Sequence, residues 1–403
     1  MSPYTFASSP GPTLGVELEL NLVDAQTLAL RSGVVPILES LPPELHGSVK
    51  PELFQCYLEI NTAICRDVAE VERDLTAKIK VVEQLARNQG MRLYWGGTHP
   101  FSRWQDQEVT PDERYLGLVD LLQETARRLV TFGLHVHVGL DSGDMAIMIC
   151  DRILPHLPML LALSVNSPFW QGRNTGLHSH RIKIMETLPT SGLPPLMRNW
   201  SEYTWLLNHM IQTGFIKTVR EIWWDVRPHH NFGTIEVRIC DMPPSLHHVL
   251  GLTALIQCLV HDLSEEIDRG TYQNNCHPFL IRQNKWRACR YGMEARLVDP
   301  QTFQSIPVRK VVHRLLDRLK DRALELGCSS QLEIVRELAD RPTGSVLQLE
   351  AYRQTGDLAE VIRRMLRLHV FFFLSSHSGH RLPYNGNSTM TVIRDDSPEA
   401  FLG

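Results

Sequence analysis

The stretch Thr13-Leu14-Gly15-Val16-Glu17-Leu18-Glu19-Leu20-Asn21 alternates strictly, with Val16, Leu18 and Leu20 on one side and Gly15, Glu17, Glu19 and Asn21 on the other. A period of two is that of a β-strand with one buried face. Its opposite face then carries two carboxylates close enough to repel unless water or a cation screens them. Taken alone, this is an exposed strand with a solvated acidic face. Three further segments change that reading. In Leu134–Leu140, His135 and His137 oppose Leu134, Val136, Val138 and Leu140; in Thr234–Asp241, Glu236 and Arg238 oppose Ile235, Val237 and Ile239. In the shorter Tyr57–Asn61, Glu59 opposes Leu58 and Ile60. Glu, His and Arg fill the polar positions, where a solvated sheet would carry Thr, Ser and Lys. One face of one sheet therefore reads as a reaction surface.

Around these strands the chain is ordinary: 403 residues, 43% hydrophobic, net charge −4 from 41 basic and 45 acidic residues. That length supports a large core or two to three domains. No basic tract stands out, so neither nucleic acid nor an anionic membrane is expected as partner. Eight cysteines are scattered without a C-x-x-C pair, which points to a reducing, cytoplasmic compartment. Residues 1–12 lack the basic and apolar regions of a leader, and the longest apolar run, Val370–Leu374, is too short to span a bilayer. Neither G-x-x-x-x-G-K-[ST] nor G-x-G-x-x-G occurs, so a nucleotide would have to be held another way.

Apolar residues recur at helical spacing from Asp67 to Asn88, with Asp67 as N-cap and Gly90 as stop. Pro111–Phe132 and Gly143–Leu163 read as further helices, the second interrupted near Pro155 and Pro158. Ser201 and Ser245 are expected as N-caps, and the chain beyond Phe279 is mainly helical. Between Ser164 and Pro195 lies a stretch rich in Ser, Asn, Gly and Pro, read as a long functional loop. Strands separated by whole helices, with polar faces contributed from residues 17 through 238, indicate one mixed α+β domain whose helices cover the apolar face of the sheet. The expected boundaries are a flexible N-terminus at 1–12, a single domain at 13–368 and an irregular tail at 369–403.

The polar face has a definite chemistry. Glu17, Glu19, Glu52, Glu59 and Glu236 with His137 form an oxygen-rich set that suits Mg²⁺ or Mn²⁺ far better than Zn²⁺. Glu52 and Glu59 are an odd number of positions apart and cannot share a face of one regular strand, so Glu52, following Pro51, reaches in from a loop. Arg238 beside Glu236 is out of place in a bare metal site and natural where a phosphoryl group is transferred. Each carboxylate alone is more often a solvated surface group; together they favour a site.

The combination G-V-E-L-E at Gly15–Glu19, the Glu52 and Glu59 pair, G-G-T-H-P-F at Gly96–Phe101, G-L-H-V-H-V-G at Gly133–Gly139, R-P-x-x-x-F-G-T-I-E-V-R at Arg227–Arg238 and A-C-R-Y-G-M-E at Ala288–Glu294 resembles the carboxylate-amine ligase family known as glutamate-cysteine ligase type 2. The resemblance runs from about Thr13 to about Leu366. It implies a glutamine-synthetase-like catalytic fold, a curved, largely antiparallel sheet with helices covering one face and a helical C-terminal part. It also implies ATP-dependent joining of a small-molecule carboxylate to an amine with Mg²⁺, of the γ-glutamyl type, through an acyl phosphate. By the same resemblance Glu17, Glu52 and Glu59 would hold one metal, and Glu19, His137 and Glu236 another. Arg238, with Glu236, would be catalytic, stabilising the transferring phosphoryl group. His135 would touch a phosphate or orient a ligand, and Arg287, Arg290 and Tyr291 would approach nucleotide or phosphate. A glutamate-like donor needs a bidentate cation for its α-carboxylate, for which Arg181, Arg198 and Arg227 are candidates. The identity of the amine and the oligomeric state are left open. Two rivals stand beside this: a metal-dependent hydrolase built on His135, His137 and Glu236, and a non-catalytic regulator on a ligase scaffold. The intact acidic and basic set favours the ligase.

Overall fold

The computed structural model describes residues 4–9, 11–271 and 276–378, with side chains described as far as Leu368. Seven strands form the main sheet: β1 (Leu14–Asp24), β2 (Val49–Pro51), β3 (Tyr57–Asn61), β4 (Met91–Tyr94), β5 (Gly133–Gly139), β6 (Val226–His229) and β7 (Thr234–Asp241). Their spatial order is β6-β7-β5-β1-β3-β2, with β4 pairing the far end of β1. All these pairings are antiparallel.

Register decides which residues share a face. Leu18 stands opposite both Ile60 and Leu134, and Val16 stands opposite Val136. The apolar sets of β1, β3 and β5 therefore merge into one surface, closed from solvent and continuous with the main core. Each such side chain contributes roughly 1.5–3 kcal/mol by leaving water. Behind this surface pack α1 (Val68–Asn88), α2 (Gly143–Arg152), α3 (Leu157–Ser164) and α4 (Leu246–Asp268). Asp67 caps α1 as expected, its carboxylate accepting from the Glu70 amide at 2.8 Å. The segments Gly143–Ser164 and Leu246–Asp268 are long and apolar enough to cross a membrane, yet 72% and 78% of their most apolar windows are buried inside the protein. They are core helices here. The C-terminal part is helical, through α5 (Pro278–Tyr291), α6 (Val308–Glu325), α7 (Ser329–Asp340) and α8 (Leu358–Ser378).

One irregularity matters for the site. Val237 opposes Val136 and Cys240 opposes Leu134, so Arg238 and Ile239 of β7 together face the single residue His135 of β5. Such a bulge bends the strand and re-aims its side chains.

Several local expectations are corrected. The N-terminal segment is docked: the Ala7 amide donates to the His230 carbonyl at 2.8 Å and the Ser9 amide to Leu140 at 3.0 Å, while Tyr4 and Phe6 lie edge-on to His230 and Trp200. Two aromatic rings give this short segment apolar surface worth burying. The Ser164–Pro195 stretch holds a two-stranded ribbon, Phe169–Trp170 with Arg173–Asn174, a helix at Arg181–Met185, and Ser191–Gly192 paired in parallel with Trp223–Trp224. The Pro111–Phe132 helix is two, Glu113–Leu122 and Glu124–Arg127, broken where Gln123 takes φ 49°. Asn199, not Ser201, caps its helix by accepting from the Glu202 amide at 2.9 Å. Finally, α8 continues to Ser378, past the expected start of the tail at 369; residues 379–403 lie outside the described ones.

Because Leu18 is fully buried between two strands, Leu18→Ala is expected to cost about 2–5 kcal/mol of folding stability. Urea denaturation followed by circular dichroism checks this, and a loss below about 1 kcal/mol would contradict the packing of the apolar face.

Candidate active site

Across the polar face the register places Arg227 opposite Glu236, Glu236 opposite His137, Glu17 opposite both His135 and Asn61, and Glu19 opposite Glu59. Residues more than 200 positions apart in sequence thus meet on five adjacent strands. His135 Nδ1 lies 3.1 Å from Glu17 Oε2, and its Nε2 lies 3.9 Å from Glu19 Oε1. His137 Nε2 lies 3.4 Å from Glu17 Oε1 and 3.8 Å from Glu236 Oε1. The other ring nitrogen of His137 shares a hydrogen bond of 2.9 Å with Thr234 Oγ1, which fixes the ring's orientation. Glu236 is gripped twice, by Arg227 Nε at 2.6 Å and by Arg238 in a close ion pair. Arg238 also reaches within 3.4 Å of His135 Nδ1. On the far side, Glu59 accepts from Asn61 Nδ2 at 2.9 Å and lies 3.8 Å from Lys50 Nζ. Glu19 accepts from the Gly133 amide at 2.5 Å.

The carboxylates fall into two electrostatic classes. Burial alone would raise Glu17, but the His135 ring hydrogen-bonded to it and the nearby His137 ring outweigh burial and hold Glu17 below the usual range. Glu236 behaves likewise: burial is overcome by Arg227 and Arg238. By contrast, burial and the charge of Glu19 push Glu52 up to about 7. Glu59 is raised well above the usual range by burial, then by Glu17 and Glu52. Of the two imidazoles, burial and Arg238 lower His135, while in His137 burial is outweighed by Glu236 and Glu17. Glu17 and Glu236 are thus compensated by the imidazoles and guanidinium groups beside them, whereas Glu52 and Glu59 stay raised despite Lys50 at 3.8 Å from Glu59.

That imbalance fits a divalent cation. Glu17, Glu59 and His135 each offer a ligand atom within 4.8 Å of the others, and so do Glu17, His137 and Glu236. The Nε2 atoms of His135 and His137 are buried without a hydrogen-bond partner among the described residues, a costly state for a polar atom unless a ligand takes it up. The grouping differs from the expected division into Glu17/Glu52/Glu59 and Glu19/His137/Glu236. Glu17 stands between both clusters, His135 joins Glu59, and Glu19 turns to His135 and Gly133 because register sets it opposite Glu59 rather than beside His137. Glu52 follows β2 outside any strand, as its spacing required.

The expected substrate arginines do not converge. Arg227 is committed to Glu236 and to the Ile222 carbonyl. Arg181 is buried beneath the strand ends, with its guanidinium 3.4 Å from the carbonyls of both Arg238 and Ile239. A Cβ at position 133 above it would meet Arg181 Nη2 at 2.2 Å, so any larger residue there would require the guanidinium to shift. Arg198 has an 85% exposed side chain paired with Glu202 at 3.1 Å, in a shallow groove beside Leu196, Met197 and Cys276. Nor do the residues near the end of α5 reach the polar face through any described contact. Arg287 donates to the Arg296 carbonyl at 3.0 Å, and Arg290 lies over the Tyr291 ring at 5.0 Å. Tyr291 lines a separate cavity of about 220 Å³ with His178, Arg309 and Arg341.

Other residues take up roles that the alternation does not reveal. Lys285 is buried and bridges Asp225 Oδ2 at 2.5 Å and Glu186 Oε1 at 2.8 Å. The Asp225 carbonyl accepts from the Arg238 amide at 2.8 Å, so this ion triad anchors the bulge that presents Arg238. Asp241 accepts from the Asn166 amide, Ser167 Oγ and Ser179 Oγ at 2.9, 2.6 and 2.8 Å, tying the 164–180 segment to the end of β7. A lysine on the buried helical face of Ile281, Asn284 and Ala288 was the available signal for the triad, because unpaired buried lysines are rare.

The family described as glutamate-cysteine ligase family 2 matches residues 13–364. A protein of Gloeobacter violaceus carrying the provisional name glutamate–cysteine ligase 2 is 46% identical over 359 residues, covering 89% of this chain and 96% of its own length. One of Frankia casuarinae, provisionally named glutamate–cysteine ligase 2-1, is 40% identical over 366 residues, covering 90% and 96%. Among solved structures, the glutamate–cysteine ligase of Francisella tularensis in complex with AMP matches with TM-score 0.67 at 12% identity, over 90% of each chain. The bifunctional glutathione synthetase of Pasteurella multocida matches with TM-score 0.67 at 14% identity, over 91% of this chain and 53% of that one, so this chain spans about half its length. At these identities the two structures speak to fold alone, and the fold is the glutamine-synthetase-like one of these ligases.

A carboxylate raised in the folded state stabilises the protein fully below its unfolded pKa and loses that contribution as pH rises through the folded value. For Glu52 the window runs from the usual 4.5 to about 7. Without metal, Glu52→Gln is therefore expected to melt higher than the wild type at about pH 8 and much like it at about pH 4. Saturating Mg²⁺ should reverse the order at the higher pH, because only the wild type keeps the full ligand set. Thermal melts in the four conditions check this; a difference independent of pH would contradict the assigned burial.

Proposed function

We propose a reaction from a plain premise: the chain belongs to glutamate-cysteine ligase family 2 and is an ATP-dependent, amide-bond-forming carbon–nitrogen ligase that uses a divalent metal ion and small-molecule substrates. In our reading, the side-chain carboxylate of a glutamate-like donor attacks the γ-phosphorus of ATP, ADP leaves, and an acyl phosphate forms. The amine of cysteine or of another amino compound then attacks the acyl carbon; the C–O bond to phosphate breaks, and the amine loses a proton. The observation that carries this is the meeting of the unpartnered His135 and His137 nitrogens, the uncompensated Glu52 and Glu59, and the Arg227–Glu236–Arg238 cluster on one sheet face.

The ligands we propose are Glu17, Glu19, Glu52, Glu59, His137 and Glu236, with His135 added by geometry. Mg²⁺ suits their oxygen excess, and the imidazoles also admit Mn²⁺. When bound, such an ion neutralises charge on phosphate oxygens. The protein's own part is positional. Arg227 and Thr234 orient Glu236 and His137, Lys285 and Asp225 hold the bulge, and Arg238 presents a planar donor pair where phosphoryl charge would develop. We assign no α-carboxylate anchor to Arg181 or Arg198. The hydrolase and non-catalytic alternatives give way to the ligase assignment. We further propose that the enzyme works in the cytoplasm, where its eight free thiols stay reduced.

Incubation with ATP, Mg²⁺ and paired amino acids should release ADP only with a competent donor, and added hydroxylamine should trap the activated carboxylate as a hydroxamate. ADP release that never leads to amide or hydroxamate would sink the acyl-phosphate route. For Arg238→Lys, one charge remains to pair with Glu236 but the planar fork is lost. We expect kcat to fall roughly a hundredfold, about 2.7 kcal/mol of transition-state stabilisation, with a much smaller change in KM for ATP. An unchanged kcat would make Arg238 structural.

A further inference from the structure

The hairpin joining β6 to β7 carries a side chain that the polar-face chemistry leaves unused. Phe232, at its tip, is 58% exposed. One exposed phenyl group is ordinary on a protein surface, but this ring is held in a fixed setting. It lies face to face with His229, the centroids 4.0 Å apart and the planes 10° from parallel. Both rings stand edge-on to His137, at 5.7 and 5.6 Å between centroids. His137 in turn directs Nε2 at Glu17 and Glu236.

The hairpin is clamped from another side by the N-terminal segment. The Ala7 amide bonds to the His230 carbonyl, and Tyr4 packs edge-on to His230 at 5.1 Å. Gly233 sits at φ +63° so close to Ala7 that any Cβ there would collide with the Ala7 carbonyl. Phe232 and His229 are therefore a stacked pair whose free ring face is held in place beside the His137 end of the site, without a ligand to organise it.

We propose that the exposed face of Phe232, backed by His229, is the stacking platform for the purine base of the nucleotide. This deepens the reading above and rests on it, since it takes the triphosphate to lie along Glu17, His137 and Glu236. The amino-acid substrates of such a ligase are charged and carry no flat ring that an exposed phenyl face would select, whereas ATP ends in one. Every base offers a π-face, and stacking on an aromatic side chain is worth about 1–3 kcal/mol per base. The platform holds the base by its face and leaves the metal and arginine groups to the phosphates.

The test uses Phe232→Ala, Phe232→Leu and Phe232→Trp in the full chain with Mg²⁺. Ala should raise KM for ATP roughly five- to a hundredfold, Leu should fall between, and Trp should restore it, with kcat within about twofold throughout. A surface truncation leaves the melting temperature nearly unchanged. Independently of turnover, ADP should alter the fluorescence of the Phe232→Trp variant, and inorganic tripolyphosphate should not. Tripolyphosphate should also inhibit the wild type and Phe232→Ala equally. An unchanged KM in Phe232→Ala, with the wild type turning over ATP, overturns the platform alone. Parallel loss of tripolyphosphate inhibition also overturns it, because the damage would then lie at the phosphate end. A wild type that binds no nucleotide and makes no ADP with any amino acid overturns the ligase reading itself.

Discussion

Repulsion among carboxylates on one sheet face is the constraint that the surrounding structure answers. Two unit charges about 4 Å apart repel by roughly 4 kcal/mol at the effective dielectric of a protein surface, and Glu17, Glu19, Glu52 and Glu59 come from neighbouring strands and the loop beside them. The protein answers this unevenly. Next to β5 and β7, two histidines and two arginines hold Glu17 and Glu236 ionised; next to β2 and β3, Lys50 at 3.8 Å leaves Glu59 raised. A uniformly neutralised face would have no use for a cation, and a uniformly acidic one would strain the sheet. The division leaves Glu17 and Glu236 matched by protein charge and Glu52 and Glu59 short of it.

Rigidity comes from behind. The apolar side of β1, β3 and β5 is sealed against core helices, so the polar side chains grow from a backbone that cannot relax under their charge. This is the condition for a preorganised site. The bulge in β7 is the one departure, and it is braced by the Arg238 amide bond to Asp225 and the Lys285 bridge beyond it. Presenting Arg238 thus depends on a helix, a short edge strand and a turn that hold no proposed ligand.

The alternation of polar and apolar residues was enough to find the strands that matter: Tyr57–Asn61 and Thr234–Asp241 have the bounds it predicts, and Leu134–Leu140 is displaced by one residue. It also named the face, because side-chain direction in a strand is a local property. Pairing is not local. Whether Glu19 meets His137 or His135 depends on register between strands over 100 residues apart. The same holds for Arg227, whose nearness to Glu236 follows from the hairpin between them. Arg198 was a candidate only through its position in the chain, and Glu202 four residues on takes its charge at the surface. The docking of Tyr4 and Phe6 was hidden by their polar neighbours. The bulge leaves no mark in composition, since one inserted residue looks like any other.

The order of the strands has a consequence for how the chain is made. β1 lies between β3 and β5, and β5 between β1 and β7, so synthesis must pass Asp241 before the face closes. Contacts this distant along the chain form slowly, and until β5 is made the edge of β1 that pairs with it is bare, a stretch of alternating, β-prone sequence of the kind on which chains aggregate. The polar face of β1 carries Glu17 and Glu19. Like charges set opposite one another destabilise strand pairing, so the carboxylates proposed to hold a metal ion in the finished protein would also oppose the pairing of two unfinished chains through this edge.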